Sequence, residues 1–252
     1  VKIKNNIETL KWLLDNEFSF DTYTFAEAVK IKNNIETMEW LRDNRCSFYA
    51  NTFTEAVKIT NNITNLKWLL GNRCPWSEWT FASAASIEYN LETLKWLLEN
   101  RCHFDDRVFQ NAVKIQNNLT VLNWLKDNGF PLNSETYEFA VQIKDNIENL
   151  KWLNYNRCPW SELAFKIAAG VKHNLKNLKW LRDNGRIVKN KVMSNASKFK
   201  DNLETLAWLK DIGCPFDERT YPNASRCRNN VGTLTWLKDN GCPINPDIKY
   251  AN

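Results

Sequence analysis

Seven cysteines, two histidines and 29 carboxylates are the side chains of this 252-residue chain that could do covalent, metal or acid–base chemistry. Six cysteines, Cys46, Cys74, Cys102, Cys158, Cys214 and Cys242, are separated by multiples of 28 residues, and Cys227 stands apart. None falls in C-x-x-C spacing, and His103 and His173 are far apart in sequence, so no zinc ligand set forms. There is no glycine-rich phosphate loop and no G-x-S-x-G turn. The carboxylates are spread along the chain rather than clustered. These residues predict no catalysis, no cofactor and no metal. Four N-x-S/T sequons, at Asn62, Asn118, Asn195 and Asn223, are what an Asn-rich chain makes by chance, and no secretory signal accompanies them.

The cysteine spacing belongs to a larger repeat. Trp12, Trp40, Trp68, Trp96, Trp124, Trp152, Trp180, Trp208 and Trp236 recur every 28 residues with no insertion or deletion. Positions are given below as offsets from this Trp. Offset −6 is Asn in all nine units, offset −2 is Leu in eight with Met38 departing, and offset +1 is Leu in all nine. Offset +8 is aromatic or aliphatic, offset +13 is mostly Phe or Tyr, and offset +16 is Ala in eight units. The steps of three and four predict two helices per unit, a first with its apolar face at offsets +13, +16, +17 and +19 or +20, and a second with its apolar face at −5, −2 and +1. Each is expected to be about 9–10 residues, too short to stand alone in water. They must be held by neighbouring units, as in a solenoid.

The helix ends are also readable. Seven of nine residues at offset +9, Asp21, Ser77, Asp105, Asn133, Ser161, Asp217 and Asn245, have side-chain oxygens suited to the free N–H groups of a first turn. Pro246 follows Asn245 at the first helical position. Offset −7, Asn in five units, is expected to end the first helix in a left-handed conformation, and offset +4, Asn in eight, to end the second similarly. The Asn at offset −6 is expected to cap the second helix. These columns hold 22 of the 35 asparagines, so the Asn richness is helix punctuation. Stacked helices lie about 8–10 Å apart, beyond the ~7 Å that a disulfide spans. The cysteine column is therefore expected to stay reduced, in a cytoplasmic protein.

Charge also runs in columns. Offset +3 is acidic in seven units, and offset +18 is basic in five, at Lys30, Lys58, Lys114, Lys198 and Arg226. A basic column could track a phosphate backbone. With a net charge of only +5, a solvated helix face is the preferred reading and nucleic acid is set aside as a partner. No apolar run approaches the ~18 residues of a membrane span. The outward face of the first helices comprises offsets +11, +14, +15 and +18. Trp79 and Leu163 at +11, with Phe139 and Ile167 at +15, are the candidate partner-binding residues there.

The clearest unit reads T-F-x-x-A-V-x-I-x-N-N-I-E-T-L-K-W-L-L-D-N-x-C-P-F. It resembles the ankyrin repeat: Thr24-Phe25 sits where Thr-Pro-Leu begins, Ala28-Val29 matches Ala-Ala, Asn33-Asn34 takes the Gly-His place, and Leu66-Lys67-Trp68-Leu69-Leu70 stands for the second helix. About five residues of the family's hairpin loop are missing, as are its Pro and both His. The short Trp-rich form looks like ankyrin-like repeats of large amoeba-infecting DNA viruses. The resemblance implies protein–protein binding, sometimes beside an F-box, of which this chain has no trace.

Together these readings predict an all-α, ankyrin-like two-helix solenoid of nine 28-residue units, with hairpin loops shortened or absent. Residues 1–252 would form one array, a piece of a longer one, because Val1 and Ile3 match core offsets of a preceding unit and Tyr250-Ala251 begin another helix. The expected function is a non-enzymatic scaffold for a protein partner, using the variable outward face. A component of a virion or larger assembly is the alternative, and binding of nucleic acid along the basic column ranks behind both. Uncovered ends would favour self-association.

Overall fold

The computed structural model describes residues 6–49, 51–185 and 191–244. The readings placed on Val1, Ile3, Asn245, Pro246, Tyr250 and Ala251 fall outside these residues. The described residues form seventeen helices and no strand. They divide into two compact units, Val1–Pro131 and Leu132–Asn252.

In the first unit the second helices are α1 (Ile7–Asp15), α3 (Ile35–Asp43), α5 (Ile63–Gly71), α7 (Leu91–Glu99) and α9 (Leu119–Asp127). The first helices are α2 (Thr22–Ala28), α4 (Thr52–Val57), α6 (Thr80–Ala85) and α8 (Arg107–Ala112). The second unit repeats the pattern, with first helices α10 (Glu135–Val141), α12 (Ala164–Ala169), α14 (Val192–Ala196) and α16 (Thr220–Ser225). Its second helices are α11 (Ile147–Tyr155), α13 (Leu175–Asp183), α15 (Leu203–Asp211) and α17 (Val231–Asp239). All second helices have nine residues, as expected. The first helices are shorter than expected, at five to seven residues. In α2 the offset +9 residue caps the helix as expected, Asp21 accepting from Thr24 N at 2.9 Å. In α8 and α16 the helix begins two or three residues later, and Asp105 and Asp217 accept from Arg107 N at 3.0 Å and Arg219 N at 2.9 Å in the turn that leads into it.

The core is a set of columns. Leu at offset +1, Phe or Tyr at +13 and Ala at +16 are essentially fully buried, as in Leu69, Phe53 and Ala56, with Leu13 and Tyr221 half-buried. Each first helix packs on the first helix of the next repeat within its unit, α4 on α6 and α6 on α8, for example. Aromatic residues cross the same seams: Trp68 stacks 6.0 Å from Phe25, and Trp96 lies 6.3 Å from Phe53. Most of the column Trp are only half-buried, and Trp12 is 59% exposed, so the fully buried core is carried by Leu, Phe and Ala.

The asparagines depart from the sequence reading. Offset −6 residues make no side-chain cap bond at the second helix. Their amides point the other way. Asn62 Nδ2 donates to Ala56 O of its own first helix at 3.1 Å and to Val29 O of the preceding repeat at 3.0 Å. Asn90 and Asn174 repeat this with Ala84 and Val57, and with Ala168 and Val141. The residue is a staple for helix C-terminal carbonyls, which have no partner within their own helix. Offset −7 is left-handed as expected, from Asn33 (φ 54°) to Asn229 (φ 56°). At the other end the expectation shifts by one residue: Asn44 at offset +4 keeps a negative φ, and Arg45 at +5 is left-handed (φ 62°). Asn44 Nδ2 instead donates to Trp40 O at 2.8 Å, and all eight asparagines at +4 do the same to their Trp.

The cysteine column follows from this turn. Arg45 N donates to Arg42 O at 3.0 Å and Cys46 N to Leu41 O at 2.9 Å, a Schellman closure with Cys in its last position. There the side chain turns inward. All seven cysteines are free thiols, and the six in the column are buried. Burial pushes the thiols of Cys74, Cys102 and Cys158 up to about 12, and those of Cys214 and Cys242 up to about 11.

Two outcomes follow. Asn62→Ala removes the amide that ties the two carbonyls together, leaving Ala56 O with only the 3.3 Å bond from Ile59 N and Val29 O with only the 3.2 Å bond from Asn65 Nδ2, and should destabilise by about 1–2 kcal/mol. Asn62→Asp separates the roles, because Asp is as good a helix cap as Asn but cannot donate. Denaturant unfolding should find Asn62→Asp at least as damaging as Asn62→Ala, and a wild-type midpoint for Asn62→Asp would restore the cap. The thiols set an alkaline limit. In the unfolded chain they ionise near pH ~8.5, whereas the folded thiols hold their protons to about pH 11–12. The unfolded state then binds fewer protons, so stability falls as pH rises through this window. Cys74→Ala should flatten that fall in unfolding curves at pH 8 to 11.

Candidate functional site

No group of three or more His, Cys, Asp or Glu gathers among the described residues. His103 is exposed in the first unit, and His173 is a left-handed turn residue (φ 55°) in the second. The sequon asparagines all donate their amide to backbone carbonyls. The outward face of the first helices is where side chains are not consumed by packing.

In the first unit this face is self-neutralised. Lys30 Nζ lies 2.7 Å from Glu27 and 3.3 Å from Glu55, and Lys58 Nζ lies 2.7 Å from Glu55. The Glu27 hydrogen bond, outweighing burial and helped by Glu55, holds Lys30 above the usual ammonium range. Partial burial pushes the Glu55 carboxyl up, but the hydrogen bonds from Lys58 and Lys30 prevail and hold it below the usual carboxylate range. Lys114 Nζ donates to Asn111 Oδ1 at 3.1 Å. Trp79 is 48% exposed, and the Arg107 guanidinium stands 3.7 Å over its ring. That guanidinium is held by Asp105 at 2.5 Å and reaches Glu78 at 3.5 Å.

In the second unit the same offsets change character along the repeats. On α10 they carry Glu135, Glu138 and Phe139. On α12 they carry Leu163, which is 51% exposed, with Lys166 and the half-buried Ile167. Phe139, Leu163 and Ile167 thus occupy one face of neighbouring helices, whereas Trp79 belongs to the other unit.

Beyond them the face becomes basic. A groove of about 600 Å³ runs between α12, α14 and α16, lined by Lys166, Lys191, Ser194, Asn195, Lys198, Arg219, Pro222, Asn223 and Arg226. Five of these nine are cations and none is acidic. Lys191 and Arg219 share offset +11, and Lys198 and Arg226 share +18, so the charges form two rows flanking a floor of Ser194, Asn195, Pro222 and Asn223. Arg219 meets only its exposed neighbour Glu218, at 4.0 Å. Where the first unit has Glu27 and Glu55 at offset +15, the groove has Asn195 and Asn223. No carboxylate lines the groove and only the exposed Glu218 meets one of its cations, an arrangement that attracts phosphate. The sequence reading held Lys198 and Arg226 but gave no reason to separate them from Lys30 and Lys58. The signal was available at offset +15, three residues upstream on the same helix face.

The fold defines a helical-repeat protein, and the groove gives it one strongly basic face. Two solved structures of the pentatricopeptide repeat protein PPR10 share the fold. One is in complex with an 18-nt psaJ RNA element, and the other is a cysteine-to-serine variant in complex with the same element. Each matches 95% of this chain with a TM-score of 0.51 and 12% identity. A further structure, of PPR10 from maize, has a TM-score of 0.44 at 12% identity over the same share of this chain. The chain spans less than half of the PPR10 chains it matches, 42% of their length. No family model matches the chain, and no curated protein matches its sequence. The likeness establishes a helical-repeat fold, while the narrower ankyrin kinship and the amoeba-virus origin are not supported. The ranking of nucleic acid as an unlikely partner is overturned: a protein of this fold is solved with RNA in place, and the outward face carries a groove of five cations with no carboxylate in its lining. No described helix is long and apolar enough to cross a membrane.

Proposed function

We propose that this protein is a non-enzymatic repeat scaffold that binds single-stranded RNA across the basic face of α12, α14 and α16. The observation that carries the reading is the groove itself, with four cations in two rows, Lys166 beside them and no carboxylate among its nine lining residues. Cations at one-repeat intervals suit an extended chain of phosphates, each contact releasing counterions. Shared fold with a protein solved on RNA lends support.

A protein partner is the second reading, favoured by Leu163 at 51% exposure beside Ile167 and Phe139. Leu163→Ser, which adds no charge beside the groove, should release such a partner and leave RNA binding unchanged. Fluorescence anisotropy with a labelled single-stranded RNA of mixed sequence tests the first reading. Affinity should fall with salt on a log–log slope of about −3, at roughly −0.7 per phosphate contacted. Replacing Lys191, Lys198, Arg219 and Arg226 by Ala should weaken binding and flatten the slope to below about −1. Absence of binding at low salt, or an unchanged slope in the variant, would overturn the reading.

A further inference from the structure

The floor of the groove contains a device distinct from its charge. Asn195 Nδ2 donates to Lys166 O of the preceding repeat at 3.1 Å, and Asn223 Nδ2 donates to Ser194 O at 2.8 Å. These are the same offsets one repeat apart. Only the NH2 end of a carboxamide can donate to a carbonyl, so each bond settles which way the amide faces. With Nδ2 turned to the backbone, Oδ1 is the end left for a ligand. Asn223 Oδ1 receives only a long 3.4 Å approach from Arg226 Nη1 and keeps a second lone pair. Asn111, at the same offset in the first unit, differs. Its Nδ2 donates to Arg107 O of its own helix at 3.1 Å, and its Oδ1 accepts from Lys114 at 3.1 Å.

We infer, resting on the RNA reading above, that Asn195 and Asn223 are specificity-determining residues whose Oδ1 atoms accept from the exocyclic amino group of a base, so that the groove selects amino-bearing bases over uracil. The cation rows on either side hold phosphates and carry no base information. Between them the half-buried amides are fixed acceptors that cannot rotate without breaking an inter-repeat hydrogen bond. Cytosine presents an amino group at its N4 position, whereas uracil presents an oxygen there. Held in the same pose, uracil sets its O4 against the amide Oδ1, the two acceptors repel, and the one donor of that edge, N3–H, lies a ring position away from the fixed amide. Cytosine and uracil share ring size, so the comparison isolates this one group.

The experiment measures the affinities of oligocytidine and oligouridine 12-mers for the intact protein at one salt concentration. Oligocytidine should bind roughly five-fold tighter for each amide engaged. An oligomer of N4,N4-dimethylcytidine, which has no N–H to give, should bind like oligouridine. In Asn195→Ala and in Asn223→Ala the cytosine-to-uracil ratio should fall toward one while oligouridine affinity holds. A purely structural role would instead weaken both oligomers together and leave the ratio intact, which overturns the inference. Equal binding of all three oligomers by the wild-type protein overturns it as well, with the RNA reading standing. Binding to none of them overturns the RNA reading itself.

Discussion

Helices of five to nine residues are nearly all end. The first four N–H groups and last four carbonyls of any helix have no partner within it, and in a helix such as α14, Val192–Ala196, that covers most of the backbone. Side chains must close these ends, and in this protein the closing residue is asparagine. At offset −6 its amide joins the carbonyl of its own first helix to that of the repeat before, as Asn62 does with Ala56 and Val29. At offset +4 it returns to the Trp carbonyl one turn back. Once these bonds are made, neighbouring first helices are held in a fixed register, and the Leu, Phe and Ala columns can close over one another. Apolar burial supplies most of the driving force, but the amides decide where one helix lies on the next.

How this constraint reads in a sequence depends on what a periodicity can carry. The 28-residue interval, the helix pairs and the buried Leu and Ala columns are all legible because burial selects residue class, and class shows in a pattern. Direction of hydrogen bonding does not show. An Asn that caps the following helix and an Asn that staples the preceding one are the same letter at the same place, and Asn62 proves to be the second kind. Left-handed residues after the second helix were misplaced for a similar reason. Arg45, Arg73 and Arg101 occupy the position that Gly129 fills elsewhere, and arginine gives no hint of a positive φ. Tertiary closure of the Schellman turn overrides the local preference.

The basic column shows the same limit at the site. Lys30, Lys58, Lys198 and Arg226 are equivalent by offset. Two of them are neutralised by carboxylates within 3.3 Å, and two open onto a groove with no acid in it. Net charge averages over this difference and hides it. A single offset, +15, separates the cases: Glu27 and Glu55 in one place, Asn195 and Asn223 in the other. A charge is informative only together with what stands one helical turn from it.

That offset links the scaffold to its face. Asn195 and Asn223 bind across repeats through Nδ2, as the core asparagines do, and present Oδ1 outward. The bond that sets the register of α14 against α12 also aims the acceptor. An insertion of one residue in either repeat would rotate offsets +11 and +18 about the helix by roughly 100°, scattering the cation rows and turning the amides away from the groove. The uninterrupted 28-residue interval is thus a requirement of the outward face as much as of the core. Rows of like charge at even spacing exist only where every repeat has the same length, and a repeating polyanion is the kind of ligand that even spacing fits.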